Sequence, residues 1–561
     1  MPAKRGYRSG YGRLLKDARF EALLWTQCLG TIVFVCVLKS VAVGPLFAIP
    51  FLLFAGYSGY LADRFSKTRV IQIAAITLMG VTALMSGRIE LLFLVAQASL
   101  FSPAKYGILP EMLTAAQITR ANGLLQLTTV AAVLIGNFLY PRTGLVILGI
   151  TIAGSLTSLG IRKVPAARPT ESFHWNPLHE IIEGARDLRS RKSFALSVCG
   201  ISWFWFVLTF FLLTQSLTGA HLVALAGGFG LGSIAAGALS GDYIELGLVP
   251  AGLALMGIFS GIYWIEPRAI PSLVAIGCGG GVFVVPLNAY LQRKAPAATK
   301  GRILATNNFA NILASGVMWI LMWILHGRID DSVVILIASV MMLLASVVLT
   351  IQIPETVVRF ILWCVAMTLF RIRLEGRENI PRTGGALLVS NHISYADAVL
   401  VGCTTRLRTV HFLMWQPIFD VPAANYFFRL LQAIPIDATS PKSTVRALRA
   451  AREQLQRGEL VGIFPEGSIS RTGEIERFER GFEKILQGNG APVIPIHIDG
   501  LYGHPFSCKR GSPFRSWEKL WRPIVTVRVG TPIHGSPTGV ELRRSVVNLS
   551  PNQAMSRTPG L

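Results

Sequence analysis

The chain has 561 residues, with 53 Lys and Arg against 30 Asp and Glu, a formal net charge of +23, and 52% hydrophobic residues. A mean hydropathy of +0.51 excludes an ordinary water-soluble protein with one core, and the length calls for more than one unit. In a chain this apolar, the basic excess points to anionic lipid headgroups, not to nucleic acid.

The seven cysteines (Cys28, Cys36, Cys199, Cys278, Cys364, Cys403 and Cys508) are scattered, with no C-x-x-C and no Cys/His pair at ligand spacing. Free thiols are expected, with no disulfide framework and no metal site. Residues 1–20 form a basic N-terminus. Lys4, Arg5, Arg8, Arg13, Lys16 and Arg19 precede a long apolar run without a small-residue cleavage pattern, so the first span is expected to stay uncleaved.

Residues 21–354 break into about twelve apolar stretches, each near the roughly 20 residues that cross a bilayer. They fall at 22–43, 45–62, 70–87, 89–109, 122–140, 143–161, 194–215, 220–240, 246–265, 270–292, 303–325 and 332–353. A long loop from Arg162 to Ser193 divides them six and six. Loops on one side carry about twenty Lys and Arg, those on the other about five, among them Arg142 and Arg268. Positive loops stay in the cytoplasm, so both termini are expected there.

Gly59-Tyr60-Leu61-Ala62-Asp63-Arg64-Phe65-Ser66-Lys67-Thr68-Arg69, after the second span, resembles the signature loop of major facilitator transporters. The resemblance implies that Asp63 and Arg64 act as a charge latch at helix ends. Ser102 to Leu109, Ala121 to Leu124, and Gly280 to Gln292, which includes Asn288, resemble the lysophospholipid transporter family. That similarity runs through most of residues 20–350. Family members usually carry an acid and an Asn in the middle of the first span. Here the stretch reads Gly30 to Val35 without a charge, which puts ion coupling in question.

Lys105 lies inside an apolar span, where a cation is costly unless paired or working. It is read as a contact for a lysolipid phosphate, against snorkelling or a pair with Glu111. Gly228/Gly232, Gly257/Gly261 and Gly277/Gly281 have the G-x-x-x-G form that lets helices pack closely.

Residues 355–370 are apolar but too short to span easily, and read as an interfacial linker helix. Residues 371–549 alternate strand and helix patterns, implying an α/β domain with a largely parallel sheet. Residues 550–561 read as a disordered tail.

The chemistry gathers in this last domain. Asn391-His392-Ile393-Ser394-Tyr395-Ala396-Asp397 follows the apolar strand from Ala386 to Val389. Asn391 and Ser394 are helix-starting residues. Asp397, little more than one helical turn on, can reach back to His392 and make it a general base. Leu460 to Phe464 reads as a second strand, running into Pro465-Glu466-Gly467-Ser468 with Arg471 beyond, a plausible anion cradle. Val493 to Ile498 is a third strand.

This order of motifs, over roughly Arg371 to Val547, resembles the glycerolipid acyltransferases, which acylate glycerol phosphates and lysophospholipids. The resemblance implies direct transfer from an acyl thioester, with His392 as base, Asp397 as its orienter, and Glu466 and Gly467 in the acceptor-binding motif. Ser468 and Arg471 extend that motif. No metal and no tightly bound cofactor is implied. Relatives often add an acyl-carrier-protein synthetase region that is not found here, so the donor is expected as acyl-ACP or acyl-CoA.

The expected protein is multi-domain: a twelve-span helical transporter of major facilitator fold, then an α/β acyltransferase domain, in a bacterial inner membrane. It would carry lysophospholipid inward and re-acylate it. Two alternatives stay open: a phosphatidic acid pathway acyltransferase with a degenerate transporter half, and a transporter of another amphipath with a regulatory C-terminal domain.

Overall fold

A computed structural model describes residues 10–40, 48–84, 88–140, 144–176, 178–214, 219–267, 269–325, 328–406, 408–518 and 521–550. Lys4, Arg5, Arg8, Arg142, Arg268 and the tail 551–561 lie outside the described residues. The chain divides into two compact units, Met1–Gln352 and Ile353–Leu561.

The first unit is helical. Its long helices are α1 (Ala18–Ser40), α2 (Ala48–Arg64), α3 (Lys67–Leu84), α4 (Arg88–Met112), α5 (Ile118–Leu139) and α6 (Gly144–Ser158), then the short α7 (His179–Arg189). There follow α8 (Lys192–Thr214), α9 (Ala220–Ser240), α10 (Leu248–Ile265), α11 (Ile270–Lys294), α12 (Lys300–Leu325) and α13 (Asp331–Gln352). Each expected apolar stretch coincides with a helix. Eight of them, α1, α5 and α8 to α13, are long and apolar enough to cross a bilayer. Helices α2 and α6 are shorter, at 17 and 15 residues, and α4 carries Arg88, Glu90, Lys105 and Glu111.

Contacts between the first six helices and the rest run mainly through α2 against α12 and α5 against α9. The glycine pairs do what their spacing suggests. A Cβ on Gly228 or Gly232 of α9 would lie 2.1 or 2.0 Å from the carbonyl oxygen of Val274 or Cys278 on α11. Two helices this close lose contact as soon as either glycine gains a methyl.

The second unit opens with α14 (Pro354–Leu369) and then folds as a seven-stranded sheet. The strands are β1 (Arg371–Glu375), β2 (Ala386–Ser390), β3 (Val410–Trp415), β4 (Ile434–Ile436), β5 (Leu460–Ile463), β6 (Val493–Asp499) and β7 (Ile524–Val529). Their order is β1-β7-β6-β2-β5-β3-β4. The pairs are parallel except β6 with β7, so β1 and β7 run against the other five.

Buried side chains alternate along the central strands. Ala386 and Leu388 pack on one face with α14 and with Leu400 and Val401 of α15 (Asp397–Thr404). Leu387 and Val389 pack on the other face with α17 (Pro441–Gln456), α18 (Gly481–Leu486) and α19 (Gly539–Val547), α16 being Pro422–Leu430. This period-two pattern with both faces covered explains why β2 is wholly apolar up to its last residue. Each fully buried Leu or Val contributes roughly 1.5–3 kcal/mol. Helix α17 begins at Ser440, whose hydroxyl accepts from the Ser443 N–H, with Pro441 in its first turn. A capping box of Thr538 and Glu541 starts α19.

Candidate active site

Strands β2 and β5 are parallel neighbours, with Val389 opposite Ile463. Their C-terminal ends therefore deliver His392 and Glu466, 74 residues apart in sequence, to one place. The Glu466 Oε1 accepts the His392 N–H at 2.8 Å, and the Ser470 N–H donates to the His392 carbonyl at 2.8 Å. The loop after β5 thus grips the His392 backbone on both sides. Asn391 bonds β6 instead: its amide donates to the Ile498 carbonyl at 3.0 Å and accepts the Ile498 N–H at 2.8 Å.

Asp397 is fully buried and opens α15, with Ala396 as N-cap in place of the expected Ser394. Its Oδ2 meets His392 Nδ1 at 2.9 Å and accepts the Ile393 and Ser394 N–H groups at 2.6 and 2.8 Å. Its Oδ1 accepts the Ser394 hydroxyl at 2.7 Å. The carboxylate is satisfied without water and fixes the imidazole tautomer: Nδ1–H donates inward, and Nε2 is left as the proton acceptor. The ring of Phe464 stacks on that of His392 at 4.2 Å, and Phe412 stacks behind Phe464 at 5.7 Å. His392 is therefore held by its backbone, by Nδ1 and by one ring face.

The expected acceptor cradle splits into two kinds of residue. Both Glu466 oxygens face backbone donors, Oε2 accepting the Glu476 N–H at 3.0 Å. Burial pushes the Glu466 carboxyl above its ordinary pKa, opposed by those two N–H bonds. Both oxygens thus brace the backbone of the loops that carry His392 and Glu476. Gly467 turns with φ at +76°, and its N–H donates to the Phe464 carbonyl at 3.2 Å, so that donor is spent inside the turn. Ser468 and Arg471 are exposed. Arg471 makes no ion pair among the described residues, and its charge opposes the burial that raises the nearby Cys508 thiol.

Sequence reasoning missed the segment after β6. Tyr502 donates its hydroxyl to the Arg471 carbonyl at 2.9 Å, and the Tyr395 N–H donates to the Phe506 carbonyl at 3.0 Å. Ser394 pairs with Ser507 as an isolated bridge. The Asp499-Gly500 turn that ends β6, with Gly500 at φ +104°, was the available signal.

In the first unit, Asp63 at the end of α2 is buried and accepts the Gly301 and Arg302 N–H groups of α12 at 2.7 and 3.0 Å. Its ionic partner is Arg168 at 3.4 Å, from the connection after α6, and not Arg64. The Arg64 guanidinium lies over the Tyr60 and Phe65 rings at 5.9 and 5.8 Å, while Asp63 meets the start of α12. Glu111 pairs with Lys67 at 2.8 Å and not with Lys105. Lys105 is 9% exposed, sits over the Tyr106 ring at 4.4 Å, and has no ion pair among the described residues. It borders a cavity of about 140 Å³ with Gln27, Thr31, Gln97, Ser102 and Ser155. Asn288 is buried on α11 and does not border that cavity. The quoted family stretches also hold Asn122 and Gln292, whose amides bond each other reciprocally at 2.8 Å between α5 and α11.

Residues 39–318 match the Major Facilitator Superfamily and residues 371–499 the Acyltransferase family. The protein is a multi-pass membrane transporter joined to an acyltransferase. Over its first unit the chain belongs to the lysophospholipid transporter family. It is 30% identical over 299 residues to lysophospholipid transporter LplT of Klebsiella pneumoniae strain 342, covering 48% of this chain and 75% of that protein. It is 30% identical over 293 residues to LplT of Escherichia coli strain K12/DH10B, covering 47% and 74%. Among solved structures, the human organic anion transporter MFSD10 aligns over 59% of this chain and 98% of its own at 12% identity, TM-score 0.51, a likeness of fold. The 1-acyl-sn-glycerophosphate acyltransferase PlsC of Thermotoga maritima aligns over 37% of this chain and 85% of its own at 25% identity, TM-score 0.29.

Proposed function

We propose that the first unit carries lysophospholipid inward across a bacterial inner membrane and that the second re-acylates it to diacyl phospholipid. The single observation that carries the enzymatic half is His392, pinned with Nε2 as its open acceptor by the buried Asp397 carboxylate. Nε2 takes the proton of the lysolipid hydroxyl as that oxygen attacks the thioester carbonyl. The carbon–sulfur bond breaks, the ester forms, and the imidazolium returns the proton to the leaving thiolate. The donor is acyl-ACP or acyl-CoA. Arg471 is the cation offered to the acceptor phosphate, with Ser468 three residues before it.

The transport reading is supported by the cavity, where Lys105 is the one charged lining residue among those described. Neutral Gln27 and Thr31 stand on α1 in the span where relatives carry an acid, so the cavity suits a single anionic headgroup without a coupling carboxylate. The expected twelve spans, the extents 21–354 and 371–549 with the linker helix 355–370, and both termini in the cytoplasm belong to this reading. The loop-charge asymmetry supports the orientation.

The test uses purified protein in sealed vesicles, with labelled lysophosphatidylethanolamine outside and acyl thioester inside. Entry and acylation are scored separately. Added lysophosphatidic acid should compete poorly at equal concentration. Ala438 and Ile469 stand where acyltransferases of phosphomonoesters usually carry arginines, and a dianionic headgroup loses more from missing cations than a monoanionic one. Preference for lysophosphatidic acid, without entry of the diester, would instead make this a phosphatidic acid enzyme on a degenerate transporter.

A further inference from the structure

His174 of the connection before α7 and His179 and Glu180 at the start of α7 form a cluster that neither transport nor acyl transfer uses. One ligand atom each from His174, His179 and Glu180 falls within 4.8 Å of the other two. The imidazoles stack at 4.0 Å with 21° between their planes. Glu180 is 4% exposed, and its Oε2 accepts the Arg302 Nε–H at 2.7 Å. Its Oε1 has no hydrogen-bond partner, and neither has the buried Nδ1 of His174. Orphaned buried acceptors in one cluster are what a cation would satisfy.

We propose that His174, His179 and Glu180 form a binding site for a divalent transition-metal ion, with zinc the best match. Two imidazole nitrogens and a carboxylate oxygen are a zinc donor set, whereas calcium and magnesium ask for oxygen ligands throughout. The three donor atoms lie no more than 4.8 Å from one another. Tetrahedral zinc with bonds of ~2.0–2.1 Å holds its donors about 3.3–3.4 Å apart, a closing of at most about 1.5 Å that side-chain rotation can supply. Arg302 keeps Oε2 and orients the carboxylate, as outer partners of metal ligands commonly do. Its charge is offset by Glu171 at 3.4 Å as well as by Glu180. Water takes the fourth position. The sequence hid this site because its histidines are five residues apart across a turn, with no repeat of the spacing elsewhere.

The consequence lies in what the cluster joins. Arg302 begins α12, and its N–H is held by Asp63 of α2. Arg168 of the same connection bonds Asp63 through its backbone N–H at 2.7 Å as well as its side chain. A bound ion therefore ties the connection and α7 to the point where α2 and α12 meet. It should slow any cycle that parts them.

The test is zinc titration of the purified full-length protein after chelator stripping, by competition with a chromophoric chelator, alongside thermal unfolding. Wild type should bind one tight equivalent and gain about 2–4 °C in Tm. His174→Asn and His179→Ala should each lose 10-fold or more in affinity and show no gain, with an unchanged metal-free Tm. Using two separate variants keeps the test open should one of them fold poorly. Calcium should give no shift. One tight equivalent retained in both variants, absence of a tight equivalent in wild type, or an equal response to calcium would each overturn the proposal.

Discussion

Four contacts converge on the Asp397 carboxylate and two on that of Glu466, and the two residues share the work of holding His392. Asp397 fixes the ring and Glu466 the backbone. Removing the base in His392→Ala should lower kcat by about 10²–10⁴. Glu466→Gln tests the positioning role. Glutamine keeps the shape but offers one acceptor oxygen to two N–H donors, so one of them loses its bond. The expected result is a kcat fall of about 10-fold with KM nearly unchanged, measured on lysolipid supplied in detergent. A raised KM with kcat intact would return Glu466 to the acceptor. His497, on β6 and 7% exposed, sets a pH limit on the same unit. Burial, with a smaller push from Arg528 and opposed by Asp499, lowers its pKa from 6.5 to about 4. The unfolded state then binds the extra proton first, so stability is full above about pH 6.5 and falls as pH drops toward 4. The loss is on the order of 3 kcal/mol. The urea midpoint for loss of acyl transfer should drop between pH 7 and 5 in wild type and less in His497→Gln; equal slopes would refute this.

Strand β5 shows how an element reaches the chemistry without carrying any. A Cβ on Gly462 would lie 2.3 Å from the Phe412 ring, which backs Phe464, which covers His392. Gly462→Ala must therefore displace the stack. It should cut kcat several-fold while the sheet stays folded, visible as an unchanged far-UV spectrum; full activity would show that the stack is dispensable. The strand itself was legible, since Leu460 to Phe464 is a short apolar run ending in a Pro/Gly turn, and so were β2 and β6. The His392–Asp397 pair followed from spacing and residue type. What spacing concealed was direction. The bond from the His392 N–H to Glu466 was not legible, because motif order says nothing of which way a carboxylate faces, and parallel pairing of β2 and β5 turns it onto the His392 backbone. Helix positions in the first unit were equally plain from hydropathy. The partners of Asp63 and Lys105 were not, because they come from residues 105 and more positions away, or from a ring face and not a charge.

At the scale of the whole molecule, transport and acyl transfer reside in separate compact units, so a change at the Asp63 junction should touch one alone. Gly301 is the sharpest place to make it. An added Cβ there would sit 2.7 Å from Asp63 Oδ1 and 2.8 Å from the Gly59 carbonyl oxygen. Both are too near for contact, and neither is the free end of a flexible chain: Asp63 is buried and bound to two N–H groups and Arg168. A methyl at residue 301 must push the end of α2 from the start of α12, breaking charge-assisted bonds worth about 1.5–3 kcal/mol each. A transporter that alternates between states joined and parted at this end would have its balance shifted toward the parted one, since only the joined state loses contacts. A shift of about 3 kcal/mol changes the population ratio by more than 100-fold at ~1.4 kcal/mol per decade. Gly301→Ala is therefore expected to reduce lysolipid entry into vesicles at least 10-fold. Acyl transfer to lysolipid supplied directly in detergent should stay within two-fold of wild type. Equal loss of both activities would mean that the two units do not work independently, and unchanged entry would mean that the Asp63 junction does not part during transport.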